Sequence, residues 1–174
     1  MNHDDHVNLL RGGVPESGGV WADLGSGAGA FTLALADLLG PSAEIYSVDK
    51  DRAALAGQER VMRARFPSAA VHYLAADFTN PLDLPLLDGV VMANSLHFHR
   101  DHDCVFKLIR TYLKPSGRLV VVEYNIDRGN LAVPHPLPFR AWQNLARRAG
   151  FGNTQLLSTR PSRFLREIYS AVSW

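Results

Sequence analysis

The sequence predicts an α/β protein: a three-layer αβα sandwich around a mostly parallel seven-stranded sheet that closes with a C-terminal antiparallel hairpin. Short runs of unbroken apolar residues recur along the chain, and such strands are buried on both faces, as in parallel sheets. Stretches with helical period separate them and supply the right-handed crossovers that parallel strands require. The last two extended stretches have no helix between them, so they form the hairpin.

Val20 to Leu24 is the first strand and runs into the glycine-rich stretch Gly25-Ser26-Gly27-Ala28-Gly29. Ala30 to Leu39 follows as a helix stopped by Gly40-Pro41. Glu44 to Val48 is the second strand, followed by a helix over Arg52 to Phe66 that Pro67 ends. Ala70 to Ala75 is the third strand, and Asp88 to Ala93 the buried fourth. A helix over Cys104 to Leu113 puts Val105, Leu108, Ile109 and Leu113 on one face. Lys114-Pro115-Ser116-Gly117 turns the chain into a fifth strand, Arg118 to Glu123. A proline-rich connection over 124–138 precedes a helix from Phe139 to Ala149. The hairpin strands fall near Thr154–Ser158 and Phe164–Val172.

The 174 residues suit one domain, an N-terminal segment over 1–18 and a core over 19–174, since a domain takes roughly 150 residues. Eighteen Lys and Arg against 17 Asp and Glu leave a net charge of +1, which disfavours nucleic acid as a partner. A single cysteine, Cys104, excludes an internal disulfide and a cysteine-based zinc site. No apolar run approaches the roughly 20 residues that span a bilayer, so no membrane partner is expected. The acidic start Met1-Asn2-His3-Asp4-Asp5-His6 is unlike a secretory signal, and the expectation is a cytoplasmic protein.

Glycines at a strand-to-helix turn let backbone N–H groups approach a ligand, and the helix start favours an anionic or electron-rich group there. Asp49 follows the second strand, 24 positions after Gly25, near where an acid grips ribose hydroxyls in doubly wound folds. Asp77 follows the third strand beside Phe78, and Asn94 follows the fourth. The carboxyl ends of parallel strands line one crevice, so Asp23, Asp49, Asp77 and Asn94 converge on one edge.

At this point the chain resembles class I S-adenosylmethionine-dependent methyltransferases. Trp21 to Phe31 (WADLGSGAGAF) is similar to the first motif of that family and Ile45 to Asp49 to the second. Ala75 to Phe78 matches the third, Asp88 to His97 the fourth and Leu113 to Leu119 (LKPSGRL) the fifth, all in order. The resemblance implies S-adenosylmethionine as cofactor and assigns its contacts. Gly25, Gly27 and Gly29 would pass close to the methionine moiety, with Ser26 in the same loop. Asp23 would help hold the ammonium group, and Asp49, followed by Lys50, would accept both ribose hydroxyls. Asp77 would accept from the adenine amino group beside Phe78, and Asn94 would line the methionine end. A nicotinamide dehydrogenase is the rival enzyme. Ala30 is permitted in its fingerprint, but no Tyr-x-x-x-Lys pair follows, Tyr112 and Lys114 being two apart.

Methyl transfer is an in-line displacement, so alignment and exclusion of water matter most. A base is needed only for a protonated acceptor. His97 and His99, just after the fourth strand, and His135, in the connection over 124–138, are the candidate catalytic residues, because imidazole titrates near neutrality. Glu123 ends the fifth strand, placed to orient a histidine or simply to meet solvent. His97, His99 and His102 alternate with Asp101 and Asp103, but no metal is expected. The connection reads as a lid, because loops of this length in compact domains are usually functional. With so short a segment before the first strand, the acceptor site would be loop-built, open, or completed by a second copy in a homodimer. The expected function is methyl transfer to a small molecule. The alternative is a non-catalytic S-adenosylmethionine-binding domain serving as a sensor or a subunit.

Overall fold

The computed structural model describes residues 1–162 and 164–174. The elements run α1 (His3–Leu10), β1 (Gly19–Leu24), α2 (Ala30–Leu39), β2 (Ala43–Asp49), α3 (Arg52–Arg65), β3 (Ala70–Ala75) and β4 (Leu87–Ala93). Then come α4 (His102–Tyr112), β5 (Leu113–Tyr124), α5 (Phe139–Arg148), β6 (Thr154–Pro161) and β7 (Glu167–Ser173). One sheet holds all seven strands in the order β3-β2-β1-β4-β5-β7-β6. The first five pair in parallel, while β7 lies antiparallel between β5 and β6. The expected sandwich and its terminal hairpin are both present.

Two cores, one on each face of the sheet, explain the unbroken apolar runs in the middle of β4 and β5. Val90 and Met92 of β4, and Leu119 and Val121 of β5, face a core built with Phe106, Ile109 and Trp142 from α4 and α5. Their neighbours Val91, Val120 and Val122 face the opposite core, with Leu9 and Leu10 of α1, Leu33 and Leu35 of α2 and Met62 of α3. A strand's side chains alternate sides, so a stretch of strand between two cores is apolar at successive positions unless a buried polar side chain finds a hydrogen-bond partner. β3 sits at the sheet edge and is only half-buried. Among the described residues no helix is long and apolar enough to cross a membrane.

Two expectations need correction. Lys114 to Gly117 is not a turn ahead of the strand. It is an irregularity inside β5, since Leu113 already pairs with Leu87 before Arg118 pairs with Gly89. α4 starts at His102, where the Asp101 side chain accepts the Cys104 N–H, and it stops at Tyr112, so Leu113 belongs to β5. The N-terminal segment forms a capped helix: Asn2 and Asp5 exchange side-chain and backbone hydrogen bonds, and Arg160 of β6 bonds Asp5.

Candidate active site

The strand order puts the ends of β3, β2, β1 and β4 side by side, with the order reversing between β1 and β4. Ligands of open α/β sheets bind at such a switch point, outside the carboxyl ends of the strands. Asp77, Asp49, Gly25 and Asn94 stand at those four ends in turn. Adjacent strands lie about 4.8 Å apart, so the four positions span roughly 14 Å, enough for an elongated ligand. A cavity of about 450 Å³ opens along this rim. Gly25, Ser26, Gly27, Asp49 and Lys50 line one part of it, and Asp77, Phe78, Asn94 and His99 another. Met1 and His6 also line it, so the N-terminal helix contributes to its wall.

The glycine loop is held from below. Ser47 of β2 donates to Gln58 of α3 at 2.6 Å, and the Gln58 amide reaches the Gly27 carbonyl. A Cβ on Gly29, whose φ is +82°, would lie 2.2 Å from the Gln58 side chain, so only glycine lets the loop rest there. A Cβ on Gly27 would meet nothing within 4 Å, because that glycine faces open space. Ser47 and Gln58 went unnoticed in the sequence, since nothing local in a strand or a helix marks a residue that latches a distant loop.

The two rim acids are held differently. Asp49 accepts the Gly27 N–H at 2.7 Å through Oδ2 and the Asp51 N–H at 2.9 Å through Oδ1. Each oxygen therefore keeps a lone pair for an incoming donor. Asp77 accepts the Thr79 hydroxyl and N–H, which together hold its carboxyl below the usual range, so it stays an anion. Asp23 stands apart: it is buried, takes the Thr32 hydroxyl at 2.7 Å and is not among the residues lining the cavity. Burial pushes its carboxyl up to about 7. Gly29 likewise supports the loop without lining the cavity.

Asn94 adopts a left-handed backbone, φ 53°, and its buried Oδ1 has no hydrogen-bond partner. An orphaned acceptor on a cavity wall is a vacancy for a donor. The candidate histidines divide. His99 lines the cavity edge-on to Phe78, with ring centroids 4.8 Å apart, and burial lowers its pKa against the pull of Asp77. His97 lies just behind the wall, 3% exposed, its Nδ1–H donating to Glu123 at 2.7 Å. His135 gives its backbone N–H to the His97 carbonyl rather than lining the cavity. The proline-rich connection is anchored: Val133 and Leu137 are buried, and the Tyr169 hydroxyl donates to the Leu137 carbonyl. Among the described residues no three His, Cys, Asp or Glu side chains gather closely enough to hold a metal ion.

A family profile described as "Methyltransferase domain" matches residues 15–157. The chain belongs to that family. The ubiquinone/menaquinone biosynthesis C-methyltransferase UbiE of Pasteurella multocida is 30% identical over 105 residues, 59% of this chain and 39% of that protein. The chain thus spans about two fifths of that relative's length. Among solved structures, the YcgJ protein of Bacillus subtilis superposes with a TM-score of 0.79 at 11% identity, covering 99% of this chain and 98% of that one. A SAM-dependent methyltransferase from Aquifex aeolicus gives 0.75 at 16% identity, covering 97% and 88%. These likenesses show the shared fold.

Proposed function

We propose that this domain binds S-adenosylmethionine along the rim and directs its methyl group to a small-molecule acceptor. One observation carries the reading. Asp49 with two spare lone pairs, the anionic Asp77 and the unpartnered Asn94 Oδ1 border one elongated cavity. An adenosyl amino acid offers donors of matching kind: two ribose hydroxyls, an adenine amino group and an ammonium. Bound there, it supplies a methyl on a sulfonium that leaves as a neutral thioether.

The chain's own residues do the rest. Asp49, fixed by the Gly27 and Asp51 N–H groups, accepts the vicinal hydroxyls. Asp77 takes the exocyclic amino group, and Phe78 walls the base. Gly27 leaves room for the ligand, and Asn94 meets the ammonium end. Asp23, bonded to Thr32 in the first turn of α2, acts on that end only indirectly. His97 and His99 stand where strand β4 ends, the place from which an acceptor proton can be removed. The small net charge and the limited cavity favour a small acceptor over a nucleic acid.

Calorimetric titration with S-adenosylmethionine, S-adenosylhomocysteine and NAD tests the reading. Saturable binding of the first two and none of NAD is the expected result. Binding of NAD alone would refute it.

A further inference from the structure

We propose that the rim around the cavity mouth docks on a lipid bilayer carrying anionic headgroups, with the loop tips Phe98, Leu131 and Phe164 seated in the bilayer surface. The inference goes beyond the proposed function and does not depend on what the cavity binds.

The three tips share one edge of the fold. Phe98 is 59%, Leu131 103% and Phe164 62% exposed, so each forgoes the burial that favours a large apolar group. β4 and β5 run in parallel, so Phe98, after the first, and Leu131, after the second, leave by the same edge. β7 runs back against β5 and β6, with Tyr124 opposite Ile168 and Pro161 opposite Glu167. That pairing brings the β6–β7 turn and Phe164 to the same edge. The loops also meet. The Tyr124 ring centroid lies 6.0 Å from Phe164 and 6.0 Å from His97, whose ring is 4.3 Å from Phe98. At the far end of the Leu131 loop, the His135 N–H donates to the His97 carbonyl.

Phe98 borders the cavity, but Leu131 and Phe164 do not, so a molecule held inside leaves both of them in water. Their loops hold them outward. The Asn130 side chain accepts the Ala132 and Val133 N–H groups at 2.8 and 2.9 Å, and Val133 is buried, which leaves Leu131 at the tip. The Ser162 hydroxyl accepts the Phe164 and Leu165 N–H groups, while the Ser162 N–H donates to the Arg166 carbonyl and closes the turn.

Charge selects the occupant. Each tip has an exposed arginine within three residues: Arg100, Arg128 and Arg166. The acids among the described residues of these loops are Asp101 and Asp127, and Asp101 is engaged by the Cys104 N–H at the start of α4. Arginines are attracted to anionic headgroups within a Debye length, about 8 Å at physiological salt, which is the reach of residues at contact tips. Apolar groups at the headgroup–acyl boundary with cations beside them are how a protein lies on a bilayer without crossing it. No helix of the described residues crosses a membrane, and this contact requires none. A second copy fits less well, since a two-fold contact on this rim sets the same arginines of both chains against each other.

The test is co-sedimentation of the full chain with vesicles of phosphatidylcholine alone, or with about one-third phosphatidylserine. Expected is saturable binding to the mixed vesicles, roughly tenfold or more tighter than to phosphatidylcholine alone and lost as salt is raised to about 0.5 M. The double variant Leu131→Ser, Phe164→Ser should bind the mixed vesicles roughly tenfold or more weakly, and so should Arg128→Glu, Arg166→Glu. Leu86→Ser removes a side chain 58% exposed ahead of β4, at the opposite end of the sheet, and should bind as the parent does. Phe164→Ser alone serves should the double variant fail to fold. Absence of binding to mixed vesicles, or parent-like binding by the Leu131→Ser, Phe164→Ser variant, would overturn the inference. So would a dimer in sedimentation velocity that the same variant dissociates, which would assign the tips to a second copy. The cofactor reading is tested separately, because no vesicle measurement uses S-adenosylmethionine.

Discussion

Replacing Asp49 with alanine probes the rim at its most informative point. The carboxylate holds two backbone N–H groups, at 2.7 and 2.9 Å, and offers its remaining lone pairs to two hydroxyls. Hydrogen bonds to a charged group contribute about 1.5–3 kcal/mol each, so two lost ribose contacts amount to roughly 3–6 kcal/mol before screening. Asp49 is only half-buried, and water replaces part of that loss, leaving roughly 2–4 kcal/mol. At about 1.4 kcal/mol per tenfold, calorimetry should show affinity for S-adenosylmethionine falling by about 30- to 700-fold. S-adenosylhomocysteine shares the ribose and should lose as much. Asp49→Asn keeps one carbonyl for the Gly27 N–H and should fall between the two, which separates ribose binding from loop support. An Asp49→Ala domain that binds S-adenosylmethionine within threefold of the parent would refute the placement of the ribose at the end of β2.

Gly29→Ala should lower stability by about 2–4 kcal/mol in urea denaturation, since it combines a left-handed backbone with a 2.2 Å approach to Gln58. It should also weaken cofactor binding by displacing the latch on Gly27. Asp23 makes stability depend on pH in an unusual direction. Its folded pKa of about 7 exceeds the ordinary 3.8, so the folded state keeps a proton that the unfolded chain releases. Stability should therefore fall, by up to about 4 kcal/mol, as pH rises from about 4 to about 7. Asp23→Asn, which keeps an acceptor for the Thr32 hydroxyl, should flatten that slope in melts across the same window, and an unchanged slope would remove Asp23 as its source.

The sheet and its crossovers were legible in the amino-acid order because period and burial are coupled. A strand between two cores is mostly apolar on both faces, so Leu119 to Val122 announces itself, and Gly40-Pro41 or Pro67 stops a helix by backbone sterics alone. Asp49, Asp77 and Asn94 were legible for a related reason: in a parallel sheet the residue after each strand falls on one rim whatever the loops do. The family motifs then attached a ligand class to that rim.

Tertiary structure alone decided what long-range contacts decide. That Glu123 is buried against His97, rather than solvated at a strand end, depends on β7 covering β5 and on a turn 26 residues away. That Asp23 lies behind the glycine loop, bonded to Thr32, and that Gln58 latches Gly27, follow from how α2 and α3 pack on the sheet. Local sequence encodes periodicity and turns. Which side chain reaches across the fold is set by packing density and by the need to satisfy every buried polar group, conditions that exist only once the layers have closed.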